Sequence, residues 1–276
     1  MSSGSSHADK LHEWIRATAR AGSDIPAILK MLREAGYPDR DSRRIVAKVL
    51  DRPGVALETV LETPAAGLRH PSGPFADAGD RRVRVLAGME RPCVRVLDGV
   101  LDDEECSTLV EWARPRLDRA QTVAADGRHQ TDARRSSRGM FFARGETPLV
   151  ARIEQRLAAL TGIPVEHGEG LQVLHYLPGQ QYEPHFDWFD PTQAGHAALT
   201  RQGGQRIASI VMYLNTPLAG GGTAFPEAGF TVTAIAGSAV YFAYHAGDRS
   251  SLHAGLPVIE GEKWIATKWL RERPYC

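Results

Sequence analysis

Cysteine is scarce in this chain: three residues out of 276, Cys93, Cys106 and Cys276. Odd in number and widely spaced, they argue against a disulfide framework and against a cysteine-based zinc site, which leaves inert thiols as the reading. Net charge is missing too, because 33 basic and 33 acidic residues cancel. The global balance therefore gives no reason to expect nucleic acid or an anionic membrane as partner. No apolar run approaches the roughly 20 residues that span a bilayer. The opening stretch MSSGSSHADK lacks the charged start and apolar core of a secretion signal, so a soluble, cytoplasmic protein is expected. Internal repeats and long low-complexity tracts are absent as well.

What is there falls into three kinds of text. Residues 9 to 50 read as helices, in "LHEWIRATARA", "IPAILKMLREAGYP" and "DSRRIVAKVL", with Gly36 and Pro38 breaking the last two apart. From Asp51 to Arg81 four prolines, Pro53, Pro64, Pro71 and Pro74, suggest a linker, and a boundary is placed near residue 85. The predicted division is a helical extension and linker over 1–85 and a main domain over 86–276. Within the latter, "VRVLDGVLDDEECSTLVEWARPRL" reads as a strand followed by a helix that Asp102 or Asp103 can cap. A second helix starts at Thr147-Pro148 and stops near Gly162. After Gly168 come short β-like runs, "LQVLHYL", "QRIASIVMYL", "FTVTAI", "SAVYFAY" and "KWIATKWL", separated by turn residues. That pattern predicts a sandwich or barrel such as a jelly roll.

Chemistry concentrates in "QQYEPHFDWFD", residues 180–190. If "PHFDWF" is extended, His185 and Asp187 point to one face, where an imidazole and a carboxylate can serve one divalent ion. Taken alone, such a pair is more often structural than metal-binding. A third ligand is available in "DRSSLHAGLPV", at His253. In "KWIATKWL" the residues Lys263, Ile265, Thr267, Trp269 and Arg271 share one face, and a lysine facing a barrel interior asks for an anionic partner. Two histidines and one carboxylate are the ligand set of non-haem iron(II) oxygenases, and the lysine would supply a cation for a dicarboxylate co-substrate.

Here a resemblance becomes specific. From about Val94 to Arg273 the chain resembles the 2-oxoglutarate- and iron(II)-dependent dioxygenases of the prolyl 4-hydroxylase type, the bacterial members in particular. The stretches that carry it are "DDEECSTLVEWA", "EGLQVLHYLPGQQYEPHFDWFD", "GGQRIASIVMYLN", "GGGTAFPEAGFTV" and "SLHAGLPVIEGEKWIATKWLRER". The resemblance implies an α+β fold, a double-stranded β-helix or distorted jelly roll with supporting helices. It places the iron triad on His185, Asp187 and His253 and the 2-oxoglutarate lysine on Lys263. It puts Tyr213 near the distal carboxylate and Tyr176 in the co-substrate pocket, although either tyrosine could equally be an amphipathic core residue. The implied cofactors are Fe(II), 2-oxoglutarate and O2, with ascorbate as a reductant. The implied reaction couples decarboxylation of 2-oxoglutarate to succinate with hydroxylation of an unactivated carbon.

For the substrate, Tyr182, Arg206, Thr223 and Trp269 match positions that cradle a proline-containing peptide in the family, with Arg206 bonding a peptide carbonyl. Arg206 and Arg271 have surface salt bridges as the alternative, which is the reading adopted for Arg271. The basic stretch 131–142, "TDARRSSRGMFF", is similar to a substrate-covering loop and is equally readable as a solvated one. His175, Ala234 and Ala236 depart from the family's usual residues. Prolyl 4-hydroxylation of a peptide or protein is thus the leading expectation, and hydroxylation of a free amino acid or natural-product intermediate the alternative. A nucleic-acid demethylase is disfavoured because Lys263 stands where such enzymes carry arginine, and because no basic stripe with interleaved aromatics is present. A non-catalytic jelly-roll binding module is disfavoured by the complete ligand set. The N-terminal helices lie outside the resemblance, with substrate recruitment, homodimerisation and covering a barrel edge as their candidate uses.

Overall fold

A computed structural model of the protein describes residues 7–37, 39–51, 73–119, 121–123, 129–131 and 136–275. The chain divides into two compact units, Met1–Thr63 and Pro64–Cys276. The first contains α1 (His7–Arg20), α2 (Ile25–Glu34) and α3 (Asp39–Val49). Asp24 caps α2 by accepting from the Ala27 N–H, with Pro26 in the first turn where no amide partner is needed. Ile15, Ile28, Leu29, Leu32, Val46 and Ala47 bury one another as this unit's own core.

The second unit is built on antiparallel strands. In chain order they are β1 (Phe75–Asp77), β2 (Arg82–Met89), β3 (Cys93–Asp98), β4 (Asp118–Arg119), β5 (Gln121–Val123), β6 (His129–Thr131), β7 (Arg138–Phe142), β8 (Leu171–Tyr176) and β9 (Tyr182–His185). Then follow β10 (Arg206–Tyr213), β11 (Ala219–Gly220), β12 (Thr223–Phe225), β13 (Phe230–Val232), β14 (Ala239–Ala243), β15 (His253–Gly255), β16 (Val258–Glu260) and β17 (Lys263–Arg271). The large sheet has the order β1-β2-β3-β14-β10-β17-β8-β7-β4, and a smaller one the order β13-β12-β15-β9. Two ribbons, β11-β16 and β5-β6, complete the described sheets.

Every residue of β17 is buried, because the large sheet is covered on both faces. On one face of β17, Ile265 joins Leu174, Val211, Tyr213, Phe225, Phe242 and Tyr244 in an inner core. Its even positions Trp264, Ala266 and Leu270 join the outer core against helices α4 (Asp103–Ala113) and α5 (Pro148–Thr161). The alternation that places Lys263 and Trp269 inside is therefore the ordinary two-residue period of a strand. Helix α4 opens with a reciprocal capping box, Asp102 accepting from the Glu105 N–H and Glu105 from the Asp102 N–H. Helix α5 has Thr147 as its cap, Pro148 at its first position and Gly162, at φ 73°, as a left-handed stop.

Two boundaries differ from the sequence reading. The unit division falls at 63/64 instead of near 85, because Phe75–Asp77 pairs with Arg82–Arg84 and both strands belong to the large sheet. Three residues are too few to show an alternating pattern amid prolines and glycines. Strand β9 also ends at His185, so the extended geometry assumed for "PHFDWF" stops short of Asp187, which lies in a bend.

The outer face is stapled by a buried arginine. Arg156 on α5 donates to both carboxylate oxygens of Glu105, at 2.8 Å each, to both oxygens of Asp80, at 2.9 and 2.6 Å, and to the Val100 carbonyl. Removing it leaves Glu105 buried without its main partner, and Arg156→Ala is expected to cost about 3–5 kcal/mol of unfolding free energy. Urea unfolding followed by circular dichroism checks this.

Candidate metal centre

Antiparallel pairing of β9 with β15 sets His185 directly opposite His253, with Tyr182 opposite Gly255. Each imidazole presents Nδ1 to the backbone carbonyl two residues before it, His185 to Glu183 at 2.8 Å and His253 to Ser251 at 3.0 Å. A carbonyl only accepts, so the ring proton sits on Nδ1 and each Nε2 keeps its lone pair. Those lone pairs converge on Asp187: His185 Nε2 is 3.6 Å from Oδ1 and His253 Nε2 is 3.6 Å from Oδ2. One donor atom from each residue lies within 4.8 Å of the others, the sole such grouping of potential ligands among the described residues.

The electrostatics suit a cation. Burial raises the Asp187 carboxyl, but His253, His185 and Arg206 outweigh it and hold the group well below the usual carboxylate range. Burial and the neighbouring His185 push His253 down to about 4, so its imidazole is neutral near pH 7. The surroundings are fixed by packing: Tyr182 stacks on His185 with centroids 3.6 Å apart, and Phe242 lies 4.5 Å from the His253 ring. Two imidazoles and one carboxylate match a divalent-iron triad with open positions.

Lys263 opens β17, and its ammonium is buried over the rings of Tyr176, at 5.3 Å, and Tyr213, at 6.0 Å. Burial alone pushes it down to about 8, and no salt bridge to a carboxylate offsets that among the described residues. A buried cation lacking such a pair, close to Gly255 two residues from His253, fits a dicarboxylate chelator. Asn215 clasps the backbone on both sides of this lysine, its Nδ2 donating to the Glu262 carbonyl at 2.7 Å and its Oδ1 accepting from the Trp264 N–H at 2.6 Å.

The residues expected to hold substrate separate into two groups. The Tyr213 hydroxyl donates to Thr223 Oγ1 at 2.7 Å, and both are buried, so Thr223 belongs with the Lys263 end and not with Arg206. Arg206 lies 4.1 Å over the Trp269 ring and donates through Nε and Nη2 to both oxygens of Glu169, at 2.6 and 2.8 Å. Two of its three guanidinium nitrogens are thus engaged inside the protein, leaving Nη1 as the one not bonded to Glu169. Arg271 is buried as well, a correction to its expected place on the surface. Its Nε sits 2.8 Å from Glu169 Oε1 in an orientation too skewed for a hydrogen bond, so the contact is one of charge, while Nη1 donates to the Gly204 carbonyl.

Of the stretch 131–142, residues 132–135 lie outside the described residues. Ser136, within it, exchanges hydrogen bonds with the backbone of Gln181, next to Tyr182. His175 faces away from the triad, stacked on Trp264 and bonded to Glu262 at 2.7 Å, and Ala234 is part of the inner core. Sequence reasoning missed four contributors, Glu169, Ser209, Asn215 and Tyr244. None forms a motif with its partners, and only the fold brings them together.

A family model described as the 2OG-Fe(II) oxygenase superfamily matches residues 171–271, a span that contains His185, Asp187, His253 and Lys263. A protein named "Probable prolyl 4-hydroxylase 10" from Arabidopsis thaliana is 40% identical over 228 residues, covering 74% of this chain and 76% of its own length. "Prolyl 4-hydroxylase subunit alpha-1" from Gallus gallus is 42% identical over 208 residues, 71% of this chain and 40% of the relative. Among solved structures, the 2-oxoglutarate complex of the viral collagen prolyl hydroxylase of Paramecium Bursaria Chlorella virus-1 aligns with a TM-score of 0.51 and 28% identity. That alignment covers 64% of this chain and 95% of the viral one. The fold is the double-stranded β-helix of these oxygenases, and the family's cofactors are Fe(II), 2-oxoglutarate and O2. With convergent ligands, a buried lysine and a relative 40% identical that aligns over 76% of its own length, the chain belongs to the prolyl 4-hydroxylase family of 2-oxoglutarate- and iron(II)-dependent oxygenases.

Proposed function

We propose that this enzyme hydroxylates C4 of proline within a peptide or protein, using His185, Asp187 and His253 to hold iron(II) and Lys263 to hold the distal carboxylate of 2-oxoglutarate. The observation that carries the reading is the buried Lys263 ammonium, without a carboxylate partner among the described residues and close to Gly255, two residues along β15 from His253 of the three convergent ligands. When bound, the iron and its co-substrate supply the oxidant for an unactivated C–H bond. The chain's own part is positional. Lys263 anchors a diacid, Tyr213 and Thr223 offer hydroxyls beside it, and the inner core keeps water from the reacting groups. Tyr182 borders the triad through His185, and Trp269 through Ser209, its register partner on β10. An apolar pyrrolidine ring suits that aromatic pair, and the relatives' names support a peptidyl proline.

A proline-rich peptide set and free proline, incubated aerobically with iron(II) and 2-oxoglutarate, test the substrate class by product mass. A gain of one oxygen on a peptide is expected, and hydroxylation of free proline alone overturns the peptide reading. In His185→Ala, Asp187→Ala and His253→Ala, substrate-coupled succinate release is expected to fall to background.

Lys263 gives a second test. The unfolded chain binds this proton more tightly than the folded one, so stability of the ligand-free protein rises with pH between about 8 and the ordinary lysine value of 10.5. Below that window the folded state carries the cost of a buried cation. Lys263→Met is expected to raise unfolding stability at pH 7 by up to about 3 kcal/mol, to flatten that pH response, and to abolish 2-oxoglutarate binding in anaerobic titration.

A further inference from the structure

Asp187 is held by more than the two histidines. Its Oδ2 accepts a 2.5 Å hydrogen bond from Ser209 Oγ, and Ser209 Oγ lies 2.7 Å from the Tyr244 hydroxyl. All three side chains are buried. A carboxylate has only acceptor sites, so Ser209 must give its single proton to Asp187. The Ser209 oxygen is then an acceptor for Tyr244, and the chain of donors runs one way, from Tyr244 to Ser209 to Asp187. Both donors are mounted on rigid elements. Ser209 is in β10, hydrogen-bonded between β14 and β17, and Tyr244 follows β14 directly with its N–H on the Ile207 carbonyl at 3.0 Å. Asp187, in a bend past the end of β9, has no strand to aim it, and its orientation comes from the large sheet across the inner core.

The bond also divides the labour between the two carboxylate oxygens. A carboxylate free at both can chelate one cation through both. Two imidazole nitrogens and one carboxylate oxygen leave three positions on an octahedral ion, enough for a co-substrate that binds through two oxygens and for O2, whereas a chelating carboxylate leaves two. We propose that Ser209, oriented by Tyr244, is a positioning residue that retains Asp187 Oδ2 and leaves Oδ1 alone to the metal, so that the positions for co-substrate and O2 stay open. The inference rests on the reading of His185, Asp187 and His253 as the metal centre.

Cobalt(II), which occupies such sites without reacting with O2 in turnover, is the probe. It is titrated into the wild-type protein, Ser209→Ala, Tyr244→Phe, the double variant and His185→Ala. Affinity is read by competition with a chelator, and coordination number by the visible ligand-field absorption. Ser209→Ala is expected to weaken cobalt binding about 10- to 100-fold and to alter the absorption. Tyr244→Phe should shift both in the same direction by less. Because Tyr244 acts through Ser209, the double variant should be no worse than Ser209→Ala, an outcome that independent structural roles would not give. Circular dichroism of the metal-free variants reports their folding, and if Ser209→Ala does not fold, Tyr244→Phe alone decides. Wild-type affinity and spectrum in either folded variant, while His185→Ala has lost cobalt, overturns the role of Ser209 and leaves the metal centre standing. Retention of cobalt by His185→Ala overturns both.

Discussion

The register of β9 against β15 is the constraint from which the rest of the site follows. Two histidines far apart in the chain become direct neighbours across an antiparallel ladder, and each turns its Nδ1 to the carbonyl two residues before it. A one-residue slip would send one imidazole to the opposite face. Interactions with His253 and His185 and the charge of Arg206 then keep the Asp187 carboxylate ionised in a dry interior, which burial alone would oppose.

The large sheet carries charge on both of its faces and handles the two differently. Towards the helices, ions are matched: Lys268 meets Glu154, and Arg156 meets Glu105 and Asp80. Towards the small sheet, Arg206 and Arg271 share Glu169, while Lys263 is left without a carboxylate among the described residues. A fold that pairs its buried ions elsewhere and leaves one unmatched suits the diacid anchoring proposed for Lys263.

Much of this was readable in the sequence, for stated reasons. Helices α4 and α5 announce themselves through Asp102, Thr147, Pro148 and Gly162, because caps are local chemistry. The inward face of β17 follows from a two-residue period, which put Lys263 and Trp269 on the same side. Other features are non-local and left no local trace. Glu169 joins two arginines from different strands, and nothing in "HGEGLQ" marks it. The burial of Arg271 came from its position at the end of a doubly covered strand, whereas its chemistry alone suggested the surface. Thr223 shared a neighbourhood with substrate residues in the family pattern, yet its hydroxyl is engaged by Tyr213. Strand β1 was hidden by its length.

Asn215 has a consequence for how the pocket tolerates change. By gripping the carbonyl before Lys263 and the amide after it, one side-chain amide locks the phase of the strand at the point where a shift of a single residue would exchange an ammonium for an indole. The ammonium's location is thereby dictated by main chain, with the four flexible carbons of the lysine stem doing only the final reach. A longer turn between β16 and β17 is therefore compatible with an unmoved cation, since the residues flanking Lys263 are held from β10's end and not by the turn.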